Sequence, residues 1–284
     1  MDERFFRIAL AQADGVGPVT YRKILCQLRV DGKTMHELFE ADAGFLTAEM
    51  SLKDRVIKGI LKVRESLGAI REMTEVLMER EILPLLEEDD LYPRRLCDAF
   101  GDWAPPVVYC WGNCELLREA SVGIVGSREP DEESLTLARR AARASVRAQR
   151  VIVSGCARGV DSAAQMEALD TGGATIGVLA QGLLTRGFSG FAETISDPAS
   201  CLLLSEFPPY KGWNAGSALA RNRTICALSD AVLVVQAAGR GGSLECGLAA
   251  LRMHKPTLTI EPLDAHAPRW SGNERLINEG AFPL

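Results

Sequence analysis

The sequence predicts an α/β protein in which a small all-helical domain precedes a doubly wound, mostly parallel sheet. From about residue 105, short apolar runs alternate with segments of helical pattern. The runs lack polar alternation, which is typical of strands covered on both faces. Before residue 82 there is no strand-like alternation. The acidic segment 83–96, which is interrupted by prolines, separates the helical pattern from the alternating strand and helix pattern. We therefore expect domains at 1–85 and 86–284.

The N-terminal part carries several helix signals. The turn 14–18, Asp-Gly-Val-Gly-Pro, precedes a stretch of helical apolar periodicity. Its Gly-x-Gly is typical of a helix-hairpin-helix turn that holds a DNA phosphate, and a plain helix connector is the alternative. Thr34 and Glu37 have capping-box spacing, which predicts a short helix. A longer helix is expected to begin at Ser51 or Asp54, with an apolar side formed by Val56, Ile57, Ile60, Leu61 and Val63.

The C-terminal part contains seven apolar runs that we interpret as strands. Most gaps between them leave room for a helix, which favours βαβ units and a parallel sheet. The predicted strands lie within 107–111, 121–128, 151–159, 175–182, 201–207, 231–242 and 256–260.

Composition limits the classes of function. The formal net charge of −6 means that no global positive field attracts nucleic acid, so an anion site must be a local group of cationic side chains. The eight cysteines form no Cys-x-x-Cys pair and are interpreted as reduced thiols. No signal peptide or bilayer-spanning run is predicted. We therefore expect a cytoplasmic protein without metal or cofactor.

Arginine, glycine and serine recur where the predicted strands end. In an open α/β sheet these loops meet at one edge, where helix N-termini also point. Glycine lets the backbone approach a ligand closely, and the planar guanidinium group of arginine can donate two hydrogen bonds to a phosphate. This pattern predicts a phosphate site, although Gly and Ser are also common turn residues. The candidates are Gly126, Ser127 and Arg128; Ser154, Gly155, Arg158, Gly159 and Asp161; Arg221, Asn222 and Arg223; and Arg240, Gly241, Gly242 and Ser243.

Two further features are ambiguous or negative. Four arginines at helical spacing form a stripe that we interpret as a solvated helix face, with an accessory nucleic-acid surface as the alternative. The stripe comprises Arg139, Arg143, Arg147 and Arg150. The histidines His36, His254 and His266 have no visible nucleophile partner, so no catalytic residue is predicted.

Ordered motifs across residues 90–281 resemble the DprA/Smf family of DNA-processing proteins. They include "VGIVGSREP" (122–130), "IVSGCARGVDSAAQMEAL" (152–169), "LLLSEFPP" (202–209), "ARNRTICALSDAVLVVQA" (220–237) and "GGSLECGLAA" (241–250). The resemblance implies an extended Rossmann-like fold that binds single-stranded DNA, forms a homodimer and loads a RecA-type recombinase in DNA uptake and recombination. It implies no established enzymatic reaction. The family's motif positions coincide with the strand-end candidates, except Arg240 and Gly241, which rest on the strand-end argument alone.

Such a groove would follow a phosphate chain through arginines and backbone N–H groups without reading base sequence. Base stacking requires aromatic side chains, and few are present, since aromatic residues make up 6% of the chain. The loop candidates for stacking are Phe188, Phe191, Phe207, Tyr210 and Trp213.

The sequence departs from the family pattern at several positions. Gln165 replaces a usual His, Gln236 replaces a usual Glu, and Glu245 with Cys246 replaces a small Thr-Ala pair. The segment 183–191 replaces the usual Asp-x-x-Tyr-Pro, and no C-terminal winged helix is expected. The loop around Glu245 also resembles that of lysine-decarboxylase-like phosphoribohydrolases. A nucleotide-binding sensor, or an enzyme using Glu245 to stabilise an oxocarbenium ion, is therefore the alternative function.

Overall fold

The computed structural model describes residues 2–186, 188, 192–193, 195–261 and 267–284. These residues form two compact units, Met1–Val108 and Tyr109–Leu284. The expected division at residue 85 stays a prediction about domain organisation. Within the described residues, no helix combines the length and the apolar character needed to cross a bilayer.

The first unit is mainly helical, and local capping explains where its helices begin. Asp2 accepts a hydrogen bond from the Phe5 N–H at 2.8 Å. The predicted capping box is present, because Thr34 Oγ1 accepts from the Glu37 N–H and Glu37 accepts from the Thr34 N–H. The helices are α1 (Glu3–Leu10), α2 (Pro18–Asp31), α3 (Met35–Glu40), α4 (Ala43–Ala48), α5 (Asp54–Glu65), α6 (Leu67–Glu79) and α7 (Arg94–Phe100).

One element of this unit corrects the sequence prediction. Residues Ile82–Leu86, expected to lie at the end of the helices and in a boundary segment, form strand β1. Ile82, Leu85 and Leu86 are buried and Leu83 is exposed. A proline at position 84 argues against a central strand but is compatible with the sheet edge that β1 occupies.

The second unit is built on the predicted sheet. Each of the seven predicted runs contains a strand, and β9 is an additional two-residue strand that is too short for a pattern to reveal. The strands are β2 (Val107–Gly112), β3 (Ser121–Val125), β4 (Val151–Ser154), β5 (Thr175–Val178), β6 (Cys201–Ser205), β7 (Ala231–Val234), β8 (Thr257–Thr259) and β9 (Phe282–Pro283). The helices are α8 (Glu132–Arg147), α9 (Val160–Asp170), α10 (Ala215–Leu228), α11 (Gly242–Arg252) and α12 (Ser271–Asn278).

The strand order among the described residues is β1-β2-β6-β5-β4-β3-β7-β8-β9. The pairs from β6 to β9 are parallel, and β2 is antiparallel to β6. Val122 of β3 is opposite Ile152 of β4 and Ala231 of β7. The carboxyl ends of these three central strands therefore lie together at one edge of the sheet. The mostly parallel doubly wound sheet is confirmed.

Helices cover both faces of the central strands. Ile124, Ile152 and Leu233 form a core with alanines of α8 and α9, whose small side chains let the two helices approach closely. On the opposite face, Gly123 lies against Ser229 at the end of α10, because successive residues of a strand point to opposite sides. Sequence runs without polar alternation are thus explained by burial on both faces.

The arginine stripe of α8 is largely neutralised. Arg139 pairs with Glu132, Arg143 with Glu167, and Arg150, beyond the helix, with Asp230. These partners agree with the interpretation of the stripe as a solvated surface.

We predict that Ala142→Leu lowers the free energy of unfolding by about 1–3 kcal/mol, because Ala142 is fully buried where α8 packs on α9. The matched control is Ala144→Leu, an exposed position on the same helix, which should change stability by less than about 0.5 kcal/mol. Urea denaturation followed by circular dichroism measures both. Equal midpoints for the two variants would contradict close packing of Ala142 between α8 and α9.

Candidate nucleic-acid interface

Two adjacent cavities lie at the edge where the central strands end. The larger has a volume of about 570 Å³ and is lined by loops after β3 and β7 and by residues of α10 and α11. The smaller, of about 380 Å³, is lined by loops after β4 and β5. Four residues line both cavities: Arg128, Ala157, Trp213 and Arg221.

The predicted site residues divide between these cavities. The larger cavity is lined by Gly126, Ser127, Arg128, Asp161, Arg221, Asn222, Arg240, Gly241, Gly242 and Ser243. Gly155 and Arg158 line the smaller cavity. Ser154, Gly159 and Arg223 line neither of the two. The fold therefore brings most of the candidates to one place, from three strand-end loops and from α10. The prediction of a fourth loop was wrong, because Arg221, Asn222 and Arg223 lie within this helix.

The loop after β3 presents Arg128 to the solvent. A Cβ at Gly126 would lie 2.7 Å from a methyl group of Val160, so packing on α9 is sufficient to require glycine there. Ser127 Oγ accepts a hydrogen bond from the Glu129 N–H at 3.1 Å. The Arg128 guanidinium lies 5.6 Å from the ring centre of Trp213, within the range of a cation–π interaction.

The loop after β4 is held by internal hydrogen bonds. Ser154 is buried and donates to the Ile124 carbonyl at 2.6 Å, so its hydroxyl is used within the sheet. Asp161, at the start of α9, is buried and accepts from the Gly155 N–H at 3.1 Å. Burial raises the pKa of Asp161, and the nearby Arg221 opposes that shift. Gly159 has φ of +87°, a left-handed conformation that favours glycine.

Arg221 is a buried internal clamp. Its side chain projects from α10, the residue is 4% exposed, and Nη1 donates to the carbonyls of Gly155 and Val178 at 2.5 and 2.6 Å. A Cβ at Gly155 would lie 2.0 Å from this Nη1, which explains the glycine without a ligand. Nε of Arg221 is buried and has no hydrogen-bond partner among the described residues. Nη1 of the guanidinium therefore bonds to the protein backbone, although the residue also lines both cavities.

The other arginines are more exposed. Arg158 pairs with Glu129, but both side chains are largely exposed, so this ion pair contributes little and can open. Arg223 is exposed and interacts with the half-buried Glu206, whose pKa is raised by desolvation. Arg240 is exposed and lines the larger cavity. Arg128, Arg158 and Arg240 are thus the cationic side chains available at the cavities.

The loop after β7 leads into the N-terminus of α11. Gly241 has φ of +120°, and α11 begins at Gly242. The first N–H groups of a helix have no intrahelical partner and attract anions. Asn222 of α10 fixes this turn by donating to the Gly242 carbonyl at 2.9 Å.

The aromatic candidates separate by burial. Phe188 and Phe207 are buried, and Phe188 packs edge to face against Trp111, so neither is free to stack on a base. Trp213 is 52% exposed and lines both cavities, whereas Tyr210 is exposed and lines neither. Phe191 lies outside the described residues, as does His266.

The structure gives internal roles to two departures from the family pattern. Gln165 accepts from the Cys156 N–H and donates to Thr175 Oγ1, both at 3.1 Å. Gln236 donates to Asp131, which caps α8. Glu245, by contrast, is exposed in the first turn of α11 and lines the larger cavity.

The cysteines are all free. Cys226 and Cys246 approach to 3.7 Å between α10 and α11, and this contact, together with burial, raises the pKa of Cys246. No group of three or more metal-ligating side chains occurs in the part of the chain that is described.

Sequence reasoning missed the small and apolar walls of the larger cavity. They have no distinguishing sequence signal, because small residues on a helix occur in any packed protein. These residues are Val125, Ala157, Ala215, Ala218, Leu219 and Ala238.

The fold and the site define an α/β protein with a Rossmann-like sheet and arginine-bearing loops at its strand ends. The family described as DNA recombination-mediator protein A matches residues 84–284. The chain belongs to this family.

The chain is also similar in sequence to individual proteins of known name. DNA processing protein DprA of Streptococcus pneumoniae is 35% identical over 198 residues, covering 68% of this chain and 67% of the relative. Protein Smf of Synechocystis is 29% identical over 286 residues, covering 98% of this chain and 69% of the relative.

Two solved structures are similar. The crystal structure of DprA from S. pneumoniae has a TM-score of 0.75 at 26% identity and covers 99% of this chain and 94% of its own. The structure that describes the single-stranded DNA binding mode of DNA processing protein A from Helicobacter pylori has a TM-score of 0.60 at 31% identity. It covers 72% of this chain and 90% of its own.

We predict that Gly155→Ala lowers the free energy of unfolding by about 1–3 kcal/mol, because the new Cβ collides with the Arg221 clamp. Gly212→Ala is the control, since no atom lies within 4 Å of its Cβ position and its φ is not left-handed. Urea denaturation with far-ultraviolet circular dichroism compares the two. A Gly155→Ala protein as stable as the Gly212→Ala protein would show that the clamp does not constrain this loop.

Proposed function

We propose that this protein binds single-stranded DNA at the two cavities and acts as a recombination mediator. The observation that carries the proposal is the convergence of Arg128, Arg158 and Arg240, from three separate loops, on one edge of a protein whose net charge is −6. Binding of a polyanion explains why exposed arginines cluster at this edge. Family membership and the single-stranded DNA binding mode of the H. pylori relative support the same ligand.

The binding mode follows from the separation of charged and apolar groups. Phosphates contact the exposed guanidinium groups at the rim of the cavities. Bases enter the cavities, whose walls are largely small and apolar, and stack on Trp213. Arg221 and Asp161 keep the loops in place from below the surface rather than acting as the main phosphate contacts. Phosphate contacts dominate, so binding is expected to be strongly salt-dependent.

The proposal includes two partners beyond DNA. We infer that the protein acts as a homodimer and passes the bound strand to a RecA-type recombinase, in the compartment that holds the DNA. Membership in a family described as recombination mediators supports the recombinase as a partner.

We expect a labelled oligo-dT to bind the protein with an affinity that falls steeply with salt. Arg128→Ala and Arg240→Ala should each weaken binding and reduce the slope of log K against log salt concentration by about one, since each removes roughly one phosphate contact. Fluorescence anisotropy over a series of salt concentrations gives both quantities.

The control for this experiment is Arg118→Ala, which removes an exposed arginine that pairs with Glu115 and lines neither cavity. It should bind as the wild-type protein does. Absence of binding at low salt, or unchanged slopes in both cavity variants, would count against the proposal. Arg221→Glu is unsuitable as a test, because a second carboxylate beside Asp161 would be buried without a partner and would disrupt the fold.

A nucleotide hydrolase is the second candidate, and the position of Glu245 in the larger cavity is the observation that favours it. Under the DNA-binding proposal, incubation with AMP releases no free adenine. Chromatography of the reaction products checks this expectation. Adenine release that disappears in Glu245→Gln would replace the DNA-binding proposal with hydrolysis at this carboxylate.

A further inference from the structure

Glu245 is an unusual side chain beside a cavity rim that carries exposed arginines. It lies in the first turn of α11, it is exposed, and it lines the larger cavity together with Arg128 and Arg240. Its carboxylate makes no hydrogen bond or ion pair with the described residues. Asp161, the other carboxylate that lines this cavity, is buried and accepts the Gly155 N–H. Glu245 is therefore a free acceptor in the cavity, and it repels any phosphate placed beside it.

The walls of the same cavity suit a base better than a phosphate. Val125, Ala215, Ala218 and Leu219 give it an apolar lining, and Trp213 adds an aromatic face. A phosphate would remain at the arginine rim, where charges are solvated, while a flat base would be buried against these walls. The edge of such a base would then meet the polar groups of the lining.

Among those polar groups, Glu245 offers carboxylate oxygens, which accept hydrogen bonds and cannot donate them. Cytosine presents an amino donor at position 4 beside an acceptor at N3. Uracil presents an acceptor at position 4 and a donor at N3, so its O4 would face the carboxylate unfavourably.

We propose that Glu245 is a specificity-determining residue that selects bases carrying an exocyclic amino group over thymine and uracil. The carboxylate accepts a hydrogen bond from the amino group of the base that enters the larger cavity, as carboxylates do with cytosine N4 in other complexes. This inference rests on the proposed binding of single-stranded DNA. It adds a base preference to a groove whose phosphate contacts are indifferent to sequence.

The test compares oligo-dC with oligo-dU of equal length, at neutral pH and low salt, by fluorescence anisotropy. The two strands differ only in the group at position 4 and the associated proton at N3. We expect the wild-type protein to bind oligo-dC about five- to tenfold more tightly, corresponding to one good base contact. In Glu245→Gln the ratio should fall to within about twofold, because an amide both donates and accepts and so serves either base.

The matched control is Glu274→Gln. Glu274 is also an exposed glutamate in the first turn of a helix, α12, but it lies outside both cavities. The substitution makes the same change in net charge and in the interaction with a helix dipole. It should leave the preference for oligo-dC intact.

Each outcome has a distinct meaning. Equal binding of the two strands by the wild-type protein overturns the role of Glu245, and so does a preference for oligo-dC that survives in Glu245→Gln. In both cases the protein still binds single-stranded DNA, so the proposed function is upheld. Loss of the preference in both glutamine variants shows a general charge effect and also overturns the inference. Binding of neither strand overturns the proposed function and this inference together.

Discussion

The arrangement of the site depends on the buried guanidinium of Arg221. Its Nη1 joins the carbonyl of Gly155, in the loop after β4, to that of Val178, at the end of β5. Burying a cation is costly unless it is paired and hydrogen-bonded, and the neighbouring Asp161 supplies the opposite charge. Asp161 in turn holds the Gly155 N–H. Arg221 of α10 and Asp161 of α9 thus hold the loop after β4 and the end of β5 through hydrogen bonds to the backbone, and their opposite charges attract each other.

This arrangement separates the charges that build the site from those that are available to a ligand. Arg221 and Asp161 are buried, whereas Arg128, Arg158 and Arg240 are exposed at the rim. The glycines follow the same division. Gly126 and Gly155 are required by contacts with Val160 and Arg221, while the loop at Gly241 opens towards the cavity. A glycine-rich, arginine-rich sequence can therefore serve internal packing and ligand binding in the same few residues.

Sequence patterns were sufficient for the elements with strong physical signatures. Strands covered on both faces appear as uninterrupted apolar runs, and the capping box of Thr34 and Glu37 satisfies backbone groups locally, so both were predictable. Strand β1 was not predicted because it contains Pro84, and proline fits a strand only at the edge of a sheet. Nothing in the local sequence shows that Ile82–Leu86 lies at such an edge. Strand β9, with two residues, is too short to carry a pattern.

For the site, the sequence by itself determined which residue types stand at the strand ends, because parallel strands must bring those loops to one edge. Only the tertiary structure decided what each residue does there. Arg221 and Arg240 have the same chemistry in the sequence, but α10 directs one into the protein and the β7 loop leaves the other in solvent. Burial and partners arise from contacts between segments distant in the chain, and these contacts determine whether a charge holds the fold or remains free for a ligand.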